Sequence, residues 1–226
     1  MQTPVLIDIV LFGSGASYKD ELKFINELKI TNNSDVFRIN NVSEIPLEII
    51  QDEEWENLKS RLLKLVEENA TVDCATLCFV NFPFEDRYFR KSLRKNIAVI
   101  TFSQTREIYK EAGFLIEKFI IRHLYKSAIR YLLNGDNRNK TVKLSHEQTR
   151  GCLYDFCRHK QDVVLSANIM RPLCADCEAQ LNQAILPDGF VSLFKKEFLQ
   201  IAIKDYIVGT SDPNKKSGGE MSIAKM

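Results

Sequence analysis

Cys152 and Cys157 form a C-x4-C pair, and after sixteen intervening residues Cys174 and Cys177 form C-x2-C. Two short chelating pairs separated by a loop of this size can place four thiolates around one tetrahedral ion, and soft sulfur ligands favour zinc. Four sulfurs leave no open coordination position. The chemistry this spacing predicts is therefore structural: a zinc ion that ties a loop-rich segment to the core and couples its folding to metal binding. Ordinary buried thiols would scatter through apolar strands, whereas these stand beside Arg150, Asp155, Arg158 and Asp176. His146, six residues before Cys152, can replace one cysteine as a ligand, and His159 is a weaker substitute. Cys74 and Cys78 are the contrast, since the apolar stretch CATLCFV puts both on one face of a strand, where they read as core packing.

Other residues offer weaker chemistry. His146-Glu147 could form half of a catalytic site, with the histidine on a metal and the carboxylate as base, against the simpler reading of a solvated loop. Gly13-Ser14-Gly15 stands where phosphate-binding turns occur, but it lacks a third glycine and any lysine-serine pair, so a tight turn is the better reading. Arg150, Arg158, Lys160 and Arg171 surround the cysteines and could hold nucleic-acid phosphates, although Asp155, Asp162, Asp176 and Glu178 dilute the patch. Phe82, Phe84, Tyr88 and Phe89 interleave with Arg87, Arg90 and Lys91. That stretch reads either as an interaction surface or as rings packed on a sheet with the arginines in water.

The elements that must position these residues alternate in type. Val5 to Phe12, a short strand around Val36 to Val42, Ala75 to Val80 and Asn96 to Phe102 are predicted strands. Helices are predicted over Tyr18 to Leu28 and about Asp52 to Glu68, the latter burying Trp55, Leu58, Leu62, Leu63 and Val66. A long helical pattern runs from after Ser103 to Leu133, with Gly113 as a break near its start, and a last helix covers about Phe190 to Tyr206. The alternation predicts an α/β (α+β) fold, a mixed β-sheet with packed helices. Residues 1–209 are expected to form a single domain with its zinc-binding segment at 146–181, followed by a flexible tail at 210–226.

The C-x4-C and C-x2-C spacing resembles the structural zinc site of the archaemetzincins, a metzincin-like family of zinc peptidases. Arg94 to Phe102 (RKNIAVITF) looks like the strand preceding that family's catalytic helix, and Glu117 to Leu133 looks like the helix itself. The resemblance covers roughly Phe82 to Leu181 and implies the fold and the structural zinc. It does not imply peptidase activity. The family's helix carries H-E-x-x-H, two zinc-gripping histidines one turn apart and a glutamate that activates water. Here Tyr125, Lys126 and Ile129 stand approximately in those places, and Gly151 replaces the histidine expected just before the first cysteine. His123, His146 and His159, the three histidines of the chain, contain no i, i+4 pair. The expected protein is a degenerate relative without catalytic residues, acting through a protein partner. The alternatives are a zinc hydrolase with a second metal held by His123, His146 and His159 or a carboxylate, and a nucleic-acid-binding zinc module.

Composition narrows the setting. Lysine plus arginine number 31 against 30 aspartates and glutamates, so no global field draws the chain to nucleic acid or an anionic membrane. Met1 to Phe12 lacks a basic start and contains Asp8, which predicts no secretion signal, and no run of eighteen apolar residues suggests a membrane span. A cytoplasmic, reducing setting is expected, where cysteines remain thiols or bind metal.

Overall fold

The computed structural model describes residues 3–13, 15–48, 50, 53–85, 88–135, 142–157, 161–168 and 172–210. Ser14, Arg87, Arg158, His159, Lys160, Arg171 and the segment 211–226 lie outside the described residues. Five strands, β1 (Val5–Phe12), β2 (Phe37–Ile45), β3 (Ala75–Val80), β4 (Arg90–Arg94) and β5 (Ile97–Thr101), form one mixed sheet in the order β2-β1-β3-β5-β4. β2, β1, β3 and β5 are parallel, and β4 pairs antiparallel with β5 along the edge.

The central strands read as unbroken apolar runs because both faces of the sheet are covered. Ile7, Ile9, Leu11, Leu77, Phe79, Ala98 and Ile100 enter the larger hydrophobic cluster. Their neighbours Val10, Phe12, Cys78, Val80, Ile97 and Val99 enter a second one on the opposite face. Asp8 is the polar exception in β1: its carboxylate accepts from Asn40 Nδ2 at 2.8 Å and from the Thr71 backbone N–H at 2.6 Å. A buried charge is tolerable there because both oxygens are met.

Seven helices follow among the described residues: α1 (Lys19–Thr31), α2 (Trp55–Asn69), α3 (Thr105–Glu111), α4 (Ile116–Gly135), α5 (Asp162–Asn168), α6 (Ala175–Gln183) and α7 (Phe190–Thr210). α2 covers the smaller cluster with Leu62 and Val66, flanked by Trp55, Leu58 and Leu63, the face its periodicity predicts. α3 and α4 divide the long helical pattern at Gly113, whose φ of 75° suits glycine. The Phe114 N–H reaches the Tyr109 carbonyl at 2.8 Å and the Gly113 N–H reaches Lys110, a Schellman closure.

α4 is buried on more than one face. Phe119 to Tyr125 are all buried, as are Ser127, Ala128, Ile129 and Leu133. A helix buried around most of its circumference must be covered on two sides. It packs on β1, β2 and β3 on one side. On the other, Phe194 and Phe198 of α7 close on Tyr125 at ring distances of 5.3 and 5.5 Å, each phenylalanine contributing about 2–3 kcal/mol by burial. β4 was not foreseen; it lies inside the aromatic and basic stretch, where RKSLR shows one fully buried apolar residue, Leu93. No helix among the described residues is long and apolar enough to cross a membrane.

Candidate metal centre

One limb of the site is the start of α6. Cys174 is its N-cap, with extended backbone and no side-chain capping bond, and Cys177 lies in the first turn. The free N–H groups and dipole at a helix start favour thiolates there. The other limb is a tight turn. Gly151, with φ of 76°, precedes Cys152, and the Asp155 N–H closes back on the Cys152 carbonyl at 3.1 Å. The Leu153 N–H donates to the Pro172 carbonyl at 2.8 Å, which stitches the turn to the chain just ahead of Cys174. His146 joins through a backbone bridge with Asp155 and a 3.1 Å bond from the Phe156 N–H to its carbonyl.

These connections gather four donors. The ligand atoms of His146, Cys152, Cys174 and Cys177 all lie within 4.8 Å of one another, and His146 Nε2 is 3.5 Å from Cys174 Sγ. Nδ1 of the same ring lies 2.9 Å from the Gln148 carbonyl and 3.3 Å from Asp155 Oδ1. A carbonyl can only accept, so the proton sits on Nδ1 and the Nε2 lone pair faces the sulfurs. The ring N–H is directed to Gln148, which leaves Asp155 Oδ1 near the ring but without an aligned hydrogen bond. Asp155 Oδ2 accepts the Arg150 backbone N–H at 3.0 Å. Carboxylate and carbonyl partners of this kind orient metal-ligating histidines.

The thiols are polarised by the same geometry. The Cys177 thiol is the strongest influence holding Cys152 down to about 4, aided by the Tyr154 and Cys174 backbone N–H groups and His146, and opposed by burial. Cys177 moves up in response, through its bond to Cys152 and burial, so the two share one proton. The Arg150 side chain donates to Asp176 and lies against the Cys174 sulfur, placing a cation beside the thiolate cluster. A tetrahedral ion held by all four donors would have no position for water or substrate.

Five residues were singled out from the sequence as metal ligands, and four of them meet. Cys157 stands outside the group; it is buried, has a left-handed φ of 47°, and acts electrostatically on Tyr109, Arg122 and Lys126 of α3 and α4. His123 does not approach the cluster's histidine. It is buried against Phe119 and Phe89, with Nδ1 3.2 Å from Arg90, and burial first, then Arg90, hold it neutral. Among the described residues no second group of metal donors exists. Glu147 is exposed, the Gly13 N–H is taken by the Ile45 carbonyl at 2.9 Å, and Cys78 is a neutral thiol in the sheet core. Of the three residues that the sequence resemblance sets against a peptidase motif, Tyr125 bonds Glu197, Ile129 is fully buried and Lys126 lies over the Tyr154 ring.

Gln148, whose carbonyl takes the ring N–H, and Asp155, whose carboxylate lies against the ring, are not marked as functional residues by the sequence. Their signal was positional: an acid three residues after Cys152 and a turn two residues after His146. Compared with models of protein families, with curated proteins and with solved structures, the chain matches none.

Proposed function

We propose that this chain is a zinc-braced binding protein on a metzincin-like scaffold without a peptidase site, and that the ion is structural. The observation that carries the reading is the four-donor group itself, three cysteine sulfurs and one oriented imidazole. Tetrahedral zinc with Zn–S near 2.3 Å and Zn–N near 2.0 Å requires an N···S separation of about 3.5 Å. His146 Nε2 and Cys174 Sγ are 3.5 Å apart. Three thiolates and a neutral imidazole would give the loaded centre one net negative charge, against which Arg150 is placed.

The scaffold part of the proposal is supported by the order of elements: β5, the long helix α4 after it, and then the cysteine segment, as the resemblance implies. With Lys126 and Ile129 where the general base and a histidine would be needed, α4 serves as core and meets the cysteine loop through Arg122, which donates to the Cys152 carbonyl, and Lys126, over the Tyr154 ring. Such a protein acts through what it binds. Elemental mass spectrometry of the purified chain and of Cys174→Ser tests the centre. One zinc per chain, lost in the variant, is expected; two would favour a hydrolase, and none would remove the reading.

A further inference from the structure

Beside the metal loop, β4, α4 and the segment 144–156 enclose a cavity of about 220 Å³. Its wall carries Arg90, Lys126 and Arg130, with Asp155 as its acidic residue. None of the three cations makes an ion pair among the described residues. Arg90 donates to His123 and Ser127, and its Nε is buried without a partner. Arg130 has one bond, to Ser92 Oγ at 3.2 Å, and Lys126 has only the Tyr154 ring, 5.4 Å away. The Tyr154 hydroxyl, on a residue 1% exposed, also has no partner and belongs to the same wall.

Like charges crowded into one concavity destabilise a fold unless something answers them. Asp155 does not answer them: its Oδ2 takes the Arg150 backbone N–H, its Oδ1 lies 3.3 Å from the His146 ring, and neither forms an ion pair with the three cations. Besides the Tyr154 ring, the one neighbour that favours the Lys126 charge is Cys157, while burial, Arg90, Arg130 and Arg122 all oppose it. Arginine keeps its proton at neutral pH, so the cluster remains cationic and, among the described residues, forms no ion pair.

We propose that this cavity binds a phosphate group, with Arg90, Lys126 and Arg130 supplying the positive charge and the Tyr154 hydroxyl a further donor. With Lys126 protonated, three cations against one carboxylate leave two positive charges over, which a phosphate dianion matches and a single carboxylate does not, and the bound dianion favours that protonated form. Guanidinium groups present the planar donor pairs that phosphate oxygens accept. The volume is below that of drug-sized pockets, which suits a phosphate with a small remainder. Tyr88 and Phe156, with rings 4.7 Å apart, form an aromatic rim where a flat group attached to that phosphate would lie. The proposal goes beyond the metal reading and does not rest on it: phosphate binding by a purified chain that holds no zinc would overturn the metal reading alone.

Calorimetric titration of the full chain with inorganic phosphate, AMP and adenosine, in buffer free of other oxyanions, tests it. Phosphate and AMP are expected to bind at millimolar concentrations or below and adenosine not to. Tighter binding of AMP would identify a phosphate ester as the source, and equal binding the free ion. Lys126→Met and Arg130→Gln should each weaken phosphate by about 10- to 100-fold. Ligand-free Lys126→Met should melt no lower than the parent chain, because it removes an unanswered charge. Absence of phosphate and AMP binding, equal affinity for adenosine and AMP, or unchanged affinity in both variants would overturn the proposal.

Discussion

The β3 strand and the metal loop both bury cysteine, and they do opposite things with it. Cys78 lies among Val10, Val80 and Val99 with no polar neighbour to favour its charge, and burial alone pushes the thiol up. Cys152 is as little exposed, yet a thiol and backbone N–H groups hold it down to about 4. Burial therefore does not decide what a cysteine is for. The donors around the sulfur do, and they exist only where the chain turns: at Gly151 and at the first turn of α6.

The largest expected effects come from breaking that contrast directly. Cys174→Ser or Cys177→Ser should remove the metal and cost on the order of 5 kcal/mol, seen as loss of the C-terminal segment's protection from proteolysis. Cys78→Ser should cost only about 1–3 kcal/mol, with metal content unchanged, because it places a hydroxyl in an apolar core. Equal losses in the two regions would erase the distinction.

A finer cut tests the groups behind the ligands. Asp155→Asn should lower metal affinity by about 10- to 100-fold in chelator competition while leaving the stoichiometry at one. Cys74, just before β3, has a 3.9 Å contact from Asn40 but belongs to no group of metal donors, so Asn40→Ala should leave metal affinity unaltered.

The loop side of α4 also carries a pH signature that the sheet side lacks. Burial first, then Arg90, Arg130 and Arg122, lower Lys126 to about 7, against about 10.4 in an unfolded chain. Between those values the unfolded chain binds a proton that the folded chain has shed, so stability rises as pH rises through the window. The cost is fully present below about pH 7. Urea midpoints at pH 7 and 9 should therefore differ less in Lys126→Met than in the parent chain.

The smallest expected effect is at the junction of the two regions. Tyr125 of α4 donates to Glu197 of α7, whose carboxylate also takes the Ser34 hydroxyl and the Asp35 N–H. Tyr125→Phe should cost about 1 kcal/mol in a denaturant titration and leave the metal in place.

The sheet was legible because its physics is local. β-branched runs, the α2 stripe and Gly113 each announce themselves within a dozen residues, and β1 and β3 appear at the predicted bounds. β4 was hidden because an edge strand needs little apolar content, and because Arg90 turns inward to His123 instead of to water. The cysteine pairs were legible as spacing, but spacing cannot say which four donors converge. That choice rests on the bridge between His146 and Asp155 and on the left-handed turn at Cys157, both set by tertiary packing. Burial of the outer side of α4 was equally invisible, since its cover comes from far along the chain: Tyr154 over Lys126, and Phe194 and Phe198 on Tyr125.

X-ray absorption at the zinc edge of the purified chain tests the central claim most directly. Three sulfurs at about 2.3 Å and one nitrogen at about 2.0 Å, with the nitrogen lost in His146→Ala, are the predicted result. Four sulfurs would bring Cys157 in and His146 out, and an oxygen in place of a protein ligand would mean an open site; either would contradict the closed three-cysteine, one-histidine centre.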